Sequence, residues 1–357
     1  MLRCLPSNHK RRTCGWTSGK VSSAVNGGGT WFVARGFLSF LQSVMPVSKN
    51  EPIACLNGRF VPLSEAKLPV SDMGIVHAAA VAEMVRTFAH RPFRLDDHLD
   101  RLFCGLRVLG LEGDVDRDDL RGIIEHVLAH NTGLIDADDD LGMIIFVTAG
   151  SNPTYLAASG MPLDRQPTVG VHTFRLPFQL WAEKVRQGQS LIVSQVRQVP
   201  AASVDPRIKS RSRLHWFLAD REARRQDPQA AALVLDGDGF VAETSSGSLF
   251  IVRNGRLATP RAENTLAGIS RQVVFELAES LGLSADWADL TPDDIFAADE
   301  VFLCSTPYCL MPVTRLNGKP IGDGESGSFF RRLSAVWNER VGFDIIGQIV
   351  SRAGKPN

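Results

Sequence analysis

The segment Leu249-Phe-Ile-Val-Arg-Asn254-Gly255-Arg-Leu-Ala258 contains the local pattern from which the fold class is inferred. Two apolar runs flank an Asn-Gly pair, and Asn-Gly tolerates the positive φ angles of a type I′ turn, so the segment predicts a β-hairpin. The same pattern recurs at Asn57-Gly58 and Asn317-Gly318, and 236–239 predicts a fourth tight turn. Because hairpins join antiparallel strands, these segments favour an α+β fold over a doubly wound parallel sheet.

Helical periodicity is clearest between Leu99 and Leu109, where apolar residues recur at spacings of three and four and Gly110 follows. A glycine just after the last apolar turn is a typical helix end. The same reasoning predicts further helices over 120–128, 214–223 and 273–281, and continuous apolar runs predict strands over 143–148, 190–196 and 300–303.

Charge is distributed unevenly along the 357 residues, although 39 bases balance 39 acids overall. Residues 1–50 contain seven bases and no acid, so the rest of the chain is acidic. We interpret 1–50 as an extension, either unstructured or a mis-assigned start, with a targeting segment as the alternative. The remainder exceeds the size at which single cores usually stop growing, and we predict a small domain over 51–180 and a large domain over 181–345.

Several classes of protein are disfavoured by composition and motif content. The acidic part of the chain after residue 50 is a poor surface for binding nucleic acid. The sequence contains no run of 18 apolar residues, so no membrane-spanning helix is predicted. The six cysteines form no C-x-x-C pair and no metal set with histidines, which indicates a reducing compartment, the cytoplasm, and no metal. A literal G-x-G-x-x-G at 322–327 follows a hairpin near the C-terminus, so it predicts a loop before the last helix and not a dinucleotide site.

Four polar residues lie at positions where their side chains could bind a ligand or take part in a reaction. Lys209 precedes a predicted helix, Glu243 lies between a turn and a strand, Arg101 lies off the apolar stripe of its helix, and Ser270 opens a helix. Taken singly, each has an ordinary structural explanation: a solvated lysine, a strand-end carboxylate, a surface base and a helix cap. No one of these residues therefore predicts a reaction by itself.

Taken together with their order and spacing, these segments resemble the class IV, or fold-type IV, pyridoxal-phosphate enzymes, which include branched-chain and D-amino acid aminotransferases and aminodeoxychorismate lyase. The resemblance covers most of 53–340. It rests on Leu56-Asn57-Gly58, His98–Leu102, the Lys209 segment, 243–250, Thr265–Arg271, 298–302, Ser305-Thr306 and Pro312-Val313. It implies a two-domain α+β fold, with a small N-terminal α/β domain and a larger C-terminal domain that has a β-barrel-like core.

The resemblance also implies a site for pyridoxal 5′-phosphate. It assigns eight residues to that site: Arg101, Lys209, Glu243, Ser246, Leu266, Ile269, Ser270 and Thr306. Lys209 would bind the cofactor covalently and later move a proton, and Glu243 would face the pyridine nitrogen. Arg101, Thr306 and the start of the helix at Ser270 would bind the phosphate. Ser246 and Leu266 would line the cofactor.

The implied activity is exchange of an amino group between an amino acid, branched-chain-like or of D configuration, and a 2-oxo acid, in a homodimer. The substrate side matches no subfamily cleanly, because Leu214 replaces the tyrosine of branched-chain enzymes and Ala149 replaces an arginine common in the other two groups. Two alternatives stay open: 4-amino-4-deoxychorismate lyase, and a non-catalytic interaction protein on the same fold.

Overall fold

The computed structural model describes residues 50–160 and 166–354, so the predictions for the N-terminal extension lie almost wholly outside it. Within those residues, no helix combines the length and apolar character needed to cross a bilayer. The boundary that we place near residue 180 between a small and a large domain stays a prediction.

A six-stranded antiparallel sheet forms the first part of the fold, in the order β2-β1-β6-β5-β3-β4. Its strands are β1 (Ile53–Leu56), β2 (Arg59–Pro62), β3 (Ala80–Phe88), β4 (Arg91–Pro92), β5 (Leu141–Thr148) and β6 (Thr168–Arg175). The helices of this part are α1 (Met73–Val76), α2 (Leu95–Leu109), α3 (Arg117–Thr132) and α4 (Pro153–Ala158). The apolar stripes of α2 and α3 pack on the sheet, and Leu99, Leu106 and Ile124 are fully buried there.

A nine-stranded sheet forms the second part, in the order β12-β11-β10-β13-β14-β7-β8-β9, with β15 paired to β14. Its strands are β7 (Gln189–Arg197), β8 (Ala231–Leu235), β9 (Val241–Thr244), β10 (Ser248–Arg253), β11 (Arg256–Pro260), β12 (Ala285–Ala288), β13 (Glu300–Ser305), β14 (Cys309–Leu316) and β15 (Lys319–Pro320). The helices are α5 (Ala182–Gln187), α6 (Leu214–Gln226), α7 (Ile269–Ser280), α8 (Pro292–Phe296), α9 (Ser328–Val341) and α10 (Ile345–Arg352). Because β9 also lies against β10 and β11, this sheet curls like part of a barrel.

The predicted hairpins and helices are confirmed. Asn254 and Gly255 have φ of 52° and 75°, the positive values that a type I′ turn requires, and the other two Asn-Gly pairs behave alike. The α+β class is also confirmed, although three strand pairs in the second sheet are parallel: β14 with β7, β7 with β8, and β11 with β12. One prediction is wrong in part: the glycine loop at 322–327 leads into α9, and a further helix, α10, follows it.

The two sheets are connected at the segment that carries Lys209. The backbone N–H of Ala82 in β3 donates to the carbonyl of Lys209, and the N–H of Arg211 donates to the carbonyl of Ala80, both at 2.9 Å. Val81 and Ser210 form an antiparallel bridge between these bonds. The segment therefore adds a short strand-like piece to β3, which holds the Lys209 backbone in one place.

Candidate active site

All eight residues assigned from the resemblance line one cavity of about 360 Å³. Its walls come from β3 and β5 of the first sheet, the loop before α6, the turn between β9 and β10, the start of α7, and the end of β13. The residues are Arg101, Lys209, Glu243, Ser246, Leu266, Ile269, Ser270 and Thr306. Residues as far apart in sequence as Arg101 and Thr306 thus meet around a single space.

Lys209 is partly buried, and its pKa is lowered to about 8. Burial is the largest cause, because it disfavours the charged ammonium, and the positive charges of Arg101 and Arg213 act in the same direction. The carboxylates of Glu83 and Glu243 oppose the shift without cancelling it. A substantial fraction of Lys209 is therefore the neutral amine, the nucleophilic form, at slightly alkaline pH.

Arg101 is held in place by a buried carboxylate on β3. Its Nε donates to Oε1 of Glu83 at 2.7 Å and its Nη2 to Oε2 at 2.6 Å, and its Nη1 donates to the carbonyl of Ala267 at 2.7 Å. His98 Nδ1 lies 2.7 Å from Glu83 Oε2. Burial acts to raise the pKa of Glu83, but Arg101 and His98 outweigh it and lower that pKa to about 2. Arg101 is thus a fixed cation beside α7, and not the surface base that its sequence position suggested.

Glu243 is fixed in the same manner by a second arginine. Its Oε1 accepts from Ser248 Oγ at 2.9 Å and from Arg271 Nη2 at 2.7 Å, and its Oε2 accepts from the N–H of Leu266 at 3.1 Å. Arg271 is 1% exposed and also donates to Thr265 Oγ1 at 2.6 Å. These contacts orient one charged carboxylate group on the cavity wall.

The start of α7 supplies an anion site. Gly268 is the N-cap and makes no side-chain cap, so the N–H groups of Ile269 and Ser270 stand in the uncapped first turn of a 12-residue helix. The partial positive charge at a helix N-terminus favours a negatively charged group there. Ser270 and Thr306 line the same cavity, so hydroxyl donors accompany the backbone donors.

Glu83, His98 and Arg271 are site residues that the sequence reasoning did not assign. Arg271 lies in the segment Thr265–Arg271, which contributes to the family resemblance, but that resemblance implied no role for its side chain. Glu83 is the one carboxylate in the largely buried strand β3, and a lone acid in a buried strand is a signal that it must have a partner. No local pattern says that this partner is Arg101, eighteen residues later on another element.

The polar groups around the cavity fit a phosphorylated aromatic aldehyde. An amine with a lowered pKa suits a carbonyl carbon, a fixed carboxylate suits a protonated ring nitrogen, and an uncapped helix start beside an arginine suits a phosphate. Among the described residues, no group of histidine, cysteine and acidic side chains is arranged to hold a metal ion.

Comparisons with known proteins agree with this chemistry. Residues 80–316 match the family model described as amino-transferase class IV. A putative branched-chain-amino-acid aminotransferase of Methanocaldococcus jannaschii is 30% identical over 289 residues, which cover 80% of this chain and 94% of that protein. A D-alanine aminotransferase of Listeria monocytogenes is 28% identical, over 80% of this chain and 95% of that protein. A crystal structure of the T.th. branched-chain amino acid aminotransferase with pyridoxamine 5′-phosphate has a TM-score of 0.71 and 29% identity, over 82% of this chain and 94% of that chain.

Proposed function

Because the chain belongs to the class IV aminotransferases, a family of pyridoxal-phosphate enzymes, we propose that it transfers an amino group between a branched-chain-like or D-amino acid and a 2-oxo acid. The observation that carries this proposal is the convergence of eight separated residues on one cavity around Lys209, whose pKa is about 8. Bound pyridoxal phosphate supplies a protonated aromatic ring that withdraws electrons from the substrate α-carbon.

Lys209 performs two tasks in this proposal. Its neutral Nζ would bind the aldehyde carbon of the cofactor covalently, with the carbonyl oxygen leaving as water, and burial favours this neutral form by lowering its pKa from 10.5 to about 8. Once the substrate amine had taken its place, Nζ would accept the proton from the substrate α-carbon and later donate it to the neighbouring cofactor carbon. The bond between Ala82 N–H and the Lys209 carbonyl keeps the backbone still while the side chain moves between these positions.

Glu243 would accept a hydrogen bond from the N–H of the pyridine nitrogen and keep that nitrogen protonated. Arg271 and Ser248 hold the carboxylate in one orientation, so no reorganisation is needed when the cofactor binds. The phosphate is bound by Arg101, by Thr306, and by the α7 start with its Ile269 and Ser270 donors. The side chains of Ser246 and Leu266 line the cavity beside the ring.

We further propose a homodimer in the cytoplasm. Leu214 and Phe217, on one face of α6 beside the cavity-lining loop, are 69% and 62% exposed. Adjacent exposed apolar side chains are typical of a surface that another subunit covers. Size-exclusion chromatography checks this, and a fully active species that elutes as the 39.0 kDa monomer would contradict it.

A panel of L- and D-amino acids, each added first to the holoenzyme and followed by 2-oxoglutarate, tests the activity. We expect the cofactor absorbance to change with at least one donor and to recover when the oxo acid is added. Pyruvate release from aminodeoxychorismate, with no donor accepted, would instead identify the lyase. If the protein shows no cofactor absorbance, and if Lys209→Ala leaves its absorbance spectrum unchanged, the chain is a non-catalytic protein with the same fold.

A further inference from the structure

Two of the arginines that line the cavity each form an ion pair with a carboxylate. Arg101 pairs with Glu83, and Arg271 pairs with Glu243. Each pair is largely buried and makes more than one hydrogen bond, so neither arginine is a free charge. Any arginine charge in the cavity that has no carboxylate in an ion pair with it must therefore come from other residues.

Arg211 and Arg213 supply that charge. Both line the cavity, two and four residues after Lys209, and neither forms an ion pair with any residue in the described part of the chain. Arg213 donates through Nη2 to the carbonyl of Ser245, and its guanidinium carbon lies 6.0 Å from the centre of the Trp216 ring. A carbonyl and an aromatic face orient a guanidinium without neutralising it.

The two arginines also lie close enough to repel each other. Burial lowers the pKa of both, and the positive charge of Arg211 lowers the pKa of Arg213 further, while the carboxylates of Glu243 and Asp220 oppose that shift without cancelling it. Two neighbouring cations in a partly enclosed space are unfavourable unless an anion joins them. This arrangement is suited to binding a ligand that carries negative charge.

The cofactor phosphate does not account for this site. Arg101 Nη1 contacts the carbonyl of Ala267, which places Arg101 beside the α7 start, where the helix donors lie. Arg213 instead contacts Ser245 in the turn between β9 and β10. The cavity therefore offers positive charge at a second place, adjacent to Lys209.

We propose that Arg211 and Arg213 bind the carboxylate of the amino acid and of the 2-oxo acid, and so determine specificity for acids over uncharged analogues. This inference rests on the proposed function, since it names the group by which the same site recognises its substrates. The guanidinium fork matches the two carboxylate oxygens and makes charge-assisted hydrogen bonds to them.

Kinetics of the holoenzyme variants Arg211→Gln and Arg213→Gln test the proposal. The substrate carboxylate keeps its charge throughout the reaction, so its contacts stabilise ground and transition states alike. We expect KM for the amino acid and the oxo acid to rise by at least about tenfold, with a much smaller change in kcat. Arg211→Lys and Arg213→Lys should recover part of the loss. Arg225→Gln, an exposed arginine near the end of α6 and outside the cavity, is the matched control and should leave KM unchanged.

Isothermal titration calorimetry of the holoenzyme with 4-methylpentanoate and with its neutral amide separates recognition from a structural role. Wild-type enzyme should prefer the acid by at least about tenfold, and the glutamine variants should lose that preference. Equal binding of acid and amide by the wild type, or an acid preference retained in both variants, would overturn the inference. If the glutamine variants do not fold, Arg211→Ala and Arg213→Ala carry the same comparison, because they also remove the positive charge. If the wild-type enzyme accepts no amino donor, the proposed function fails. The calorimetric comparison of acid and amide still tests whether Arg211 and Arg213 bind a carboxylate.

Discussion

Raising the pH of the cofactor-free enzyme should convert Lys209 from ammonium to amine with a midpoint near its pKa of about 8. At about pH 7.5, a pKa of about 8 leaves roughly a quarter of the side chains neutral. An ordinary lysine, with a pKa of 10.5, would leave roughly one in a thousand neutral at that pH. The structure therefore predicts that the neutral fraction of Lys209 at this pH is about two hundred times larger than that of an exposed lysine.

The rate at which the cofactor-free enzyme reacts with pyridoxal, followed by absorbance across pH, measures this midpoint. Pyridoxal lacks the phosphate, so the contacts of Arg101 with a phosphate do not enter the measurement. Arg213→Gln removes a positive charge that lowers the pKa of Lys209, so its midpoint should move to higher pH. A wild-type midpoint near 10.5, or a downward shift in Arg213→Gln, would refute this account of the site.

Unfolding provides an independent measurement of the same shift. Because the pKa of Lys209 is lower in the folded state, the unfolded chain holds a proton between pH 8 and 10.5 that the folded chain has lost. The free energy of unfolding should therefore rise across this window by up to about 3 kcal/mol relative to Lys209→Met. Denaturant titrations of the two proteins at several pH values measure the difference, and parallel curves would contradict the prediction.

Three further changes test separate parts of the structure. Glu243→Ala should still bind the cofactor but slow exchange of the substrate α-proton with solvent deuterium, followed by NMR; an unchanged exchange rate would remove the role proposed for that carboxylate. Glu83→Gln removes the buried partner of an arginine, so it should lower stability by about 3 kcal/mol and weaken cofactor binding, measured by denaturation and fluorescence titration; wild-type values for both would contradict its role. Gly142→Ala places a Cβ 2.3 Å from the ring of Phe174 across β5 and β6, so it should lower stability by about 1–3 kcal/mol; an unchanged melting temperature would show that the ring moves aside freely.

Local elements were predictable because their causes lie within a few residues. The Asn254-Gly255 turn depends on backbone angles that this pair accepts easily, and it forms in the structure with φ of 52° and 75°. The helix from Leu95 to Leu109 depends on an apolar stripe and on Gly110, which adopts a positive φ of 71° at its end. The resemblance to a known family added the cofactor residues, which no local pattern would have joined.

Pairings between distant segments were not predictable in the same way. The parallel contact of β14 with β7 joins strands more than a hundred residues apart, and the hairpins alone gave no reason to expect it. Likewise, two of the carboxylates that line the cavity receive their partners only when separate elements pack: Glu83 meets Arg101 from α2, and Glu243 meets Arg271 from α7.

The sequence by itself determined the hairpins, the main helices and the α+β class, and through its family resemblance it predicted eight residues for the cofactor site, all of which line one cavity. Only the tertiary structure decided their electrostatic states. Arg101 is a fixed cation because β3 brings Glu83 to it, and Lys209 has a pKa of about 8 because the cavity walls remove water and surround it with other charges. Packing also left Arg211 and Arg213 in the cavity without an ion pair to any of the described residues. Burial and charge pairing depend on distances between atoms that folding alone brings together, so no pattern along the chain contains them.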